Sequence, residues 1–486
     1  MAGQEALGHR LPDQGHHAEA RGEAFVNHLP NFTRRAAFAL AASFTLALAL
    51  PAPSFAAAKI QHLISPGGIE AWFVQDATVP LIAMEYAFTG GAAQDPADKP
   101  GVGNMVASLI DEGSGDLDSK AFHERLDRRA IELNFSVTRD YFRGSLRMLK
   151  DNKDEAFDLL HLALTSSHLD AADVDRIRSQ IMSGLHRDTT NPNSLASRKF
   201  LEIAFPNHPY SRPGTGTLES VPVITVADMR DYIRRVIARD TLKIAVVGDV
   251  DPATLGQLLD KTFGSLPAKA SLTPVPDVVA SKPPQRAFVP LDVPQTTITF
   301  GGPGFMRHDP KFMAAYIDNH IMGGGGLASR LYREVREKRG LAYSVYESLL
   351  WMDHSALFVG NTGTRADRAG DSLDAIDKEV RRFAEEGPTQ QELDEAKSYL
   401  KGSQMLQLDT SSKLASALLQ YQLDRLPIDY LDKRNAIIDA VTLDDAKQAA
   451  KRLWSQGLLT VVVGREPQAA AQSTGAPGTP PPPKAN

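Results

Sequence analysis

The sequence predicts an α+β protein of two homologous domains, each a mostly antiparallel sheet packed with helices and related to the other by internal duplication. Three observations carry this prediction. A chain of 486 residues exceeds one ordinary domain. The same order of β-rich and helical patterns occurs twice, about two hundred residues apart. A Pro-rich polar stretch separates the two copies.

The copies begin alike. Leu81-Ile82-Ala83-Met84-Glu85-Tyr86-Ala87-Phe88 reads as a strand running into Gly90-Gly91, and Thr296-Thr297-Ile298-Thr299-Phe300 as a strand running into Gly301-Gly302. Val79-Pro80 precedes the first and Val293-Pro294 the second. They also end alike. Thr225 with Asp228, and Thr442 with Asp445, have the spacing of a capping box, in which each side chain satisfies a free backbone amide near the other. Each opens a helix followed by a β-rich run that closes on glycine, residues 243–248 and 459–464. Between these landmarks helical periodicity covers residues 153–166 and 372–386. Strands cluster at the start and end of each copy instead of alternating regularly with helices, which favours α+β over a doubly wound sheet.

These landmarks set the expected boundaries. Residues 1–58 form a leader, 59–267 the first domain, 268–285 a linker marked by Pro274, Pro276, Pro283 and Pro284, and 286–466 the second domain. Residues 467–486 are a tail of Ala, Gly, Ser and Pro with no apolar period from which to build a core. Within the leader, Arg34 and Arg35 precede a nearly unbroken apolar run over residues 36–50, followed by Pro51, Pro53 and the small residues 56–58. This order reads as a signal peptide, the run being short for a bilayer span of about twenty residues. The expectation is an exported, periplasmic protein with no stable membrane span after cleavage of the leader.

Composition narrows the chemistry. With 23% charged residues and a formal net charge of -6, nothing favours a nucleic-acid partner. The absence of cysteine excludes disulfides, thiolate metal sites and a cysteine nucleophile, leaving any metal to His, Asp and Glu. The 13 histidines form neither H-x-x-E-H nor H-E-x-x-H; His16 and His17 fall in the leader, and His123 beside Glu124 has no second histidine near it. No G-x-S-x-G elbow is present.

Residues 101–110 place Val102, Met105, Val106, Leu109 and Ile110 on one helical face and Asn104, Ala107 and Ser108 on the other. Here the sequence resembles the pitrilysin or insulinase family of zinc peptidases, whose corresponding helix carries the inverted motif H-x-x-E-H. The resemblance runs through residues 59–464 and is dense over 329–346. It implies that Asn104, Ala107 and Ser108 stand at the three motif positions, and Ser183 or Gly184 at that of the third ligand, a glutamate on a later helix. Two neutral imidazoles one turn apart would hold zinc there, and the carboxylate would take a proton from its bound water. Asn and Ser are poor zinc ligands and Ala is no base. No cofactor is therefore expected in this chain.

In the second copy the run Gly323 to Gly326 lacks the Lys-Ser/Thr ending of a phosphate loop and serves as a turn before a helix. That helix is expected from about Ala328 to Gly340, a left-handed cap, with a strand starting over residues 341–345. The resemblance implies that Arg336 and Tyr343 bind substrate carbonyls and stabilise the oxyanion. A permanent cation and a phenol aimed at a developing negative oxygen do this without metal. The residues alone also fit a blander reading. Arg333, Glu334, Arg336, Glu337, Lys338 and Arg339 make a solvated helical face with a Glu334–Lys338 pair. Tyr343 shares strand parity with Leu341 and Val345, as half-buried core would.

The resemblance further implies the short, two-domain heterodimeric type, related to the mitochondrial processing peptidase, in which one chain carries zinc and the other the Arg/Tyr pair. The expectation is the non-metal subunit, inactive alone and active only as a heterodimer, with zinc in a homologous partner and a peptide or small unfolded protein as substrate. The alternative is a catalytically inactive structural or peptide-binding homologue.

Overall fold

The computed structural model describes residues 59–465. The expected leader, in which the signal peptide is predicted, and the Pro-rich tail lie outside the described residues. In the first half, β1 (Gln61–Ile64), β2 (Glu70–Gln75) and β3 (Leu81–Thr89) lead to α1 (Val102–Ala107) and α2 (Ser119–Arg128). The hairpin β4 (Glu132–Val137) and β5 (Tyr141–Leu149) follows, then α3 (Lys153–Ser166), α4 (Ala171–Asp188), α5 (Pro192–Ala204), α6 (Val226–Val236), β6 (Lys243–Gly248) and α7 (Pro252–Phe263). The second half runs β7 (Gln285–Pro290), β8 (Gln295–Pro303), α8 (Phe312–Asn319), β9 (Ala342–Trp351), β10 (Ala356–Arg365), α9 (Ala369–Glu386) and α10 (Gln390–Gly402). It closes with α11 (Gln404–Gln407), α12 (Ser411–Leu423), α13 (Tyr430–Asp439), α14 (Leu443–Trp454) and β11 (Leu459–Gly464).

The six-stranded sheet has the order β1-β2-β6-β3-β5-β4, and the five-stranded sheet β7-β11-β8-β10-β9. Without β1 the two orders correspond strand for strand. Each holds one parallel pair, β2 with β6 and β7 with β11, and is otherwise antiparallel. Both capping boxes form: Thr225 and Asp228 open α6, and Thr442 and Asp445 open α14. Two details depart from the sequence expectation. The first is that Gly301 and Gly302 do not end β8 but lie inside it, opposite Val359 and Phe358. A Cβ on Gly301 would stand 2.2 Å from the Phe358 carbonyl and 2.8 Å from the Phe200 ring, so the glycine answers a close approach. The second is that α1 stops at Ala107; Leu109 and Ile110 continue its buried stripe from a following turn.

Each half lends a helix to the other. The β6 side chains alternate: Ile244 and Val246 join the first core, whereas Ala245 and Val247 meet Ala415, Leu418 and Leu419 of α12 from the second half. In β11, Val462 joins the second core, whereas Leu459, Val461 and Val463 meet Ala196, Phe200 and Ala204 of α5 from the first half. Both strands are therefore covered on both faces, which is why they read as unbroken apolar runs. Among the described residues no helix is long and apolar enough to cross a membrane.

Candidate functional site

The helix that the resemblance aligns with the family's zinc motif is built as a packing element. Val102, Met105, Val106, Leu109 and Ile110 are fully buried in the first core. The carboxylate of Asp95 accepts from the Gly101 and Gly103 amides at 2.7 and 2.9 Å, anchoring the start of α1. Burial pushes the Asp95 carboxyl up to about 6 against those two bonds and the nearby charges of Arg212 and Arg235. Sequence reasoning passed over Asp95, whose signal was an Asp-Pro pair ahead of a helix that starts on glycine.

Of the three motif positions, Asn104 and Ser108 are half-buried and Ala107 is 7% exposed. The Ser108 amide donates to the Asn104 carbonyl at 3.1 Å, an ordinary helical bond. On α4, Ser183 is exposed and its hydroxyl donates to the Ser179 carbonyl at 2.8 Å, while Gly184 carries no donor group. These residues do not fit a zinc ion, since an amide, a methyl and two hydroxyls replace the imidazoles and carboxylates the metal requires. No group of three or more His, Asp or Glu placed to hold a metal ion exists among the described residues.

The second-half motif is more irregular than a single helix. Two π-helical turns, His320–Gly324 and Tyr332–Glu337, flank the glycine-rich loop, and such wide turns recur at functional sites. Arg330 pins the segment from beneath. Its guanidinium pairs with Glu392 at 2.6 Å and lies 4.6 Å over the Phe383 ring, with Glu379 3.5 Å away. Burial pushes the Glu392 carboxyl up, but Arg330 and the Thr389 cap outweigh it and hold the group at about 2. Arg330 is a second residue that sequence reasoning missed.

The cations of the next turn are paired with carboxylates, with one exception. Glu334 accepts from Lys338 at 2.6 Å and Arg339 at 2.7 Å, and Arg333 reaches Glu392 at 3.4 Å. Arg336 has no carboxylate or hydrogen-bond partner for its side chain among the described residues. It lies instead between two tyrosine rings, 4.7 Å from the Tyr332 centroid and 5.3 Å from that of Tyr343. Gly340 turns the chain at φ 60° and β9 begins at Ala342.

The parity expectation for Tyr343 fails at a β-bulge. Thr362 pairs with Val345 but Thr364 with Ala342, so β9 takes three steps where β10 takes two. The extra residue turns both Tyr343 and Ser344 outward, leaving Tyr343 80% exposed while Val345 stays buried. Arg336 and Tyr343 are thus brought together on the open edge of the second sheet. No hydrogen bond, ion pair or ring contact among the described residues joins them to Asn104, Ala107 or Ser108, which lie on or at the end of α1, the helix packed with α6 and β4.

The fold defines a two-domain, peptidase-like chain. Residues 75–218 match the Insulinase (peptidase family M16) profile and residues 224–400 the Peptidase M16 inactive domain; the chain belongs to the M16 peptidase family. It is 26% identical over 376 residues to the Non-peptidase homolog YmxG of Helicobacter pylori, covering 77% of this chain and 87% of that one. An uncharacterized zinc protease of Streptomyces coelicolor is 27% identical over 418 residues, covering 83% and 89%. The crystal structure of a peptidase M16 inactive domain from Pseudomonas fluorescens aligns with a TM-score of 0.79 at 26% identity, over 84% of this chain and 98% of that one.

Proposed function

We propose that this chain is the non-metal subunit of an exported M16 peptidase, supplying Arg336 and Tyr343 to a homologous zinc-bearing partner for peptide hydrolysis. The observation that carries this reading is the isolation of Arg336: Arg333, Glu334, Lys338 and Arg339 around it are all paired, and this one cation is held by two aromatic faces beside an exposed phenol. A guanidinium and a phenol so placed can bind a substrate carbonyl and stabilise the oxyanion that forms from it. The partner's zinc would supply the activated water. Export rests on the order of Arg34, Arg35 and the apolar run after them.

Reconstitution with a zinc-bearing homologue tests the proposal. Peptide hydrolysis is expected from the pair and not from the lone chain, with Arg336→Ala lowering kcat by about a hundredfold or more while assembly is unchanged. Activity with stoichiometric zinc in the lone chain would sink it. A structural or peptide-binding role is the second reading, favoured by the name of the Helicobacter pylori relative, a non-peptidase homologue. Unchanged turnover in both Arg336→Ala and Tyr343→Phe pairs would establish that second reading instead.

A further inference from the structure

Two cavities meet between the halves, against the face of the first sheet that α12 covers and α1 does not. The larger holds about 460 Å³ and the smaller about 320 Å³; both are lined by Arg143, Arg307, Trp351, Gln420 and Asp424. Arg143 stands on β5 opposite Ala87, whose side chain meets α12. None of these residues belongs to the Arg336 site.

The partition between the cavities is electrically complete. Arg307 pairs with Asp424 at 3.2 Å, and Asp424 also accepts from the Trp351 indole at 3.0 Å and Gln420 at 2.9 Å. The Arg307 guanidinium is further held 4.4 Å over Phe312 and 5.2 Å from the Tyr430 centroid. Lys413, on the rim, has its own partner in Asp409.

Two cations of the larger cavity are left over. Arg434 is 9% exposed, and its guanidinium donates to the Leu400 carbonyl at 3.0 Å and the Gln404 amide oxygen at 3.5 Å, with no carboxylate. Arg143 has no hydrogen bond or ion pair for its side chain among the described residues. The acid that feels its charge is Glu85, whose carboxyl burial pushes up to about 7. Arg434 is buried with no carboxylate against it, which is costly, so the site is built short of an anion. Its walls are aromatic: Tyr316 stacks on Phe312, and Tyr421 meets Tyr430 edge to face at 5.0 Å. The volume suits a small ligand.

We propose that the larger cavity binds a small carboxylate carried on an aromatic body, its charge between Arg143 and Arg434 and its ring against Tyr421 and Trp351. The assignment stands independently of any peptidase role. Calorimetric titration of the whole chain with 3-phenylpropionate tests it, beside the neutral isostere 3-phenylpropanamide and the cation 2-phenylethylamine. The acid is expected to bind saturably and at least about tenfold more tightly than either. Arg143→Gln, a half-buried change on β5, should weaken the acid by about tenfold and leave the amide unaffected. Ala417→Trp, which fills the cavity, should abolish both. Equal affinity for acid and amide, no saturable binding by the wild-type chain, or acid binding unchanged in a folded Arg143→Gln variant would each overturn the proposal.

Discussion

Arg336 and Tyr343 come from different elements, a π-helical turn and an edge strand, yet the guanidinium carbon of one lies 5.3 Å from the ring centroid of the other. The contact is made on the open surface, where it orders two long side chains that have no other polar partner among the described residues. It adds little to the fold. Arg336→Ala and Tyr343→Phe in the lone chain should each change unfolding free energy by no more than about 0.5 to 1 kcal/mol, measured by urea denaturation. A loss of turnover in the reconstituted pair then reports on chemistry and not on folding.

Ala107→Glu should behave differently. The position is buried against the first core, and a carboxylate placed there puts an unpaired charge into it. A destabilisation of about 1 to 3 kcal/mol is expected by the same denaturation measurement. Equilibrium dialysis of the wild-type chain should find no stoichiometric zinc.

Glu347 gives a pH dependence. It is fully buried on β9; one oxygen accepts from Asn319 at 3.1 Å and the other has no partner. Burial pushes its carboxyl from 4.5 to about 8. The fold therefore favours the protonated form, and the stability this group contributes is fully present below pH 4.5 and lost as pH rises through about 8. Wild type should lose stability between pH 5 and pH 8 relative to Glu347→Gln, by up to a few kcal/mol, since each tenfold change in proton affinity is worth about 1.4 kcal/mol. Parallel denaturation curves for the two proteins across that range would refute this.

Phe200→Ala probes the reciprocal packing. The ring is buried between α5 and the second sheet, next to Gly301. Its loss should cost about 3 to 5 kcal/mol, and calorimetry should show both halves melting together at a lower temperature. A first half that melts early beside an unshifted second half would contradict the packing.

Much of the fold could be read from local chemistry. The capping boxes at Thr225 and Thr442 and the glycine-terminated runs of β6 and β11 are short-range signals, and they appear where the residues place them. That Asn104, Ala107 and Ser108 offer neither imidazole nor carboxylate follows from residue type alone. Other features depend on partners distant in sequence. Nothing local says that Tyr343 faces outward, because the bulge is a property of the pairing between β9 and β10. Arg330 looks like one more cation on a basic helix until Glu379 and Glu392 arrive beside it. The crossed packing of α5 and α12 leaves only a faint trace, the absence of alternation in the two central strands.

That crossing makes the duplicated chain resemble a swapped dimer whose protomers have been tied together. Separated, each half would present a bare apolar sheet face to water, the kind of surface on which proteins aggregate. The segment joining α7 to β7 replaces an encounter between molecules with a closure inside one, so the local concentration of each half around the other no longer depends on how much protein the cell makes. Duplication has here produced an assembly that dilution cannot take apart.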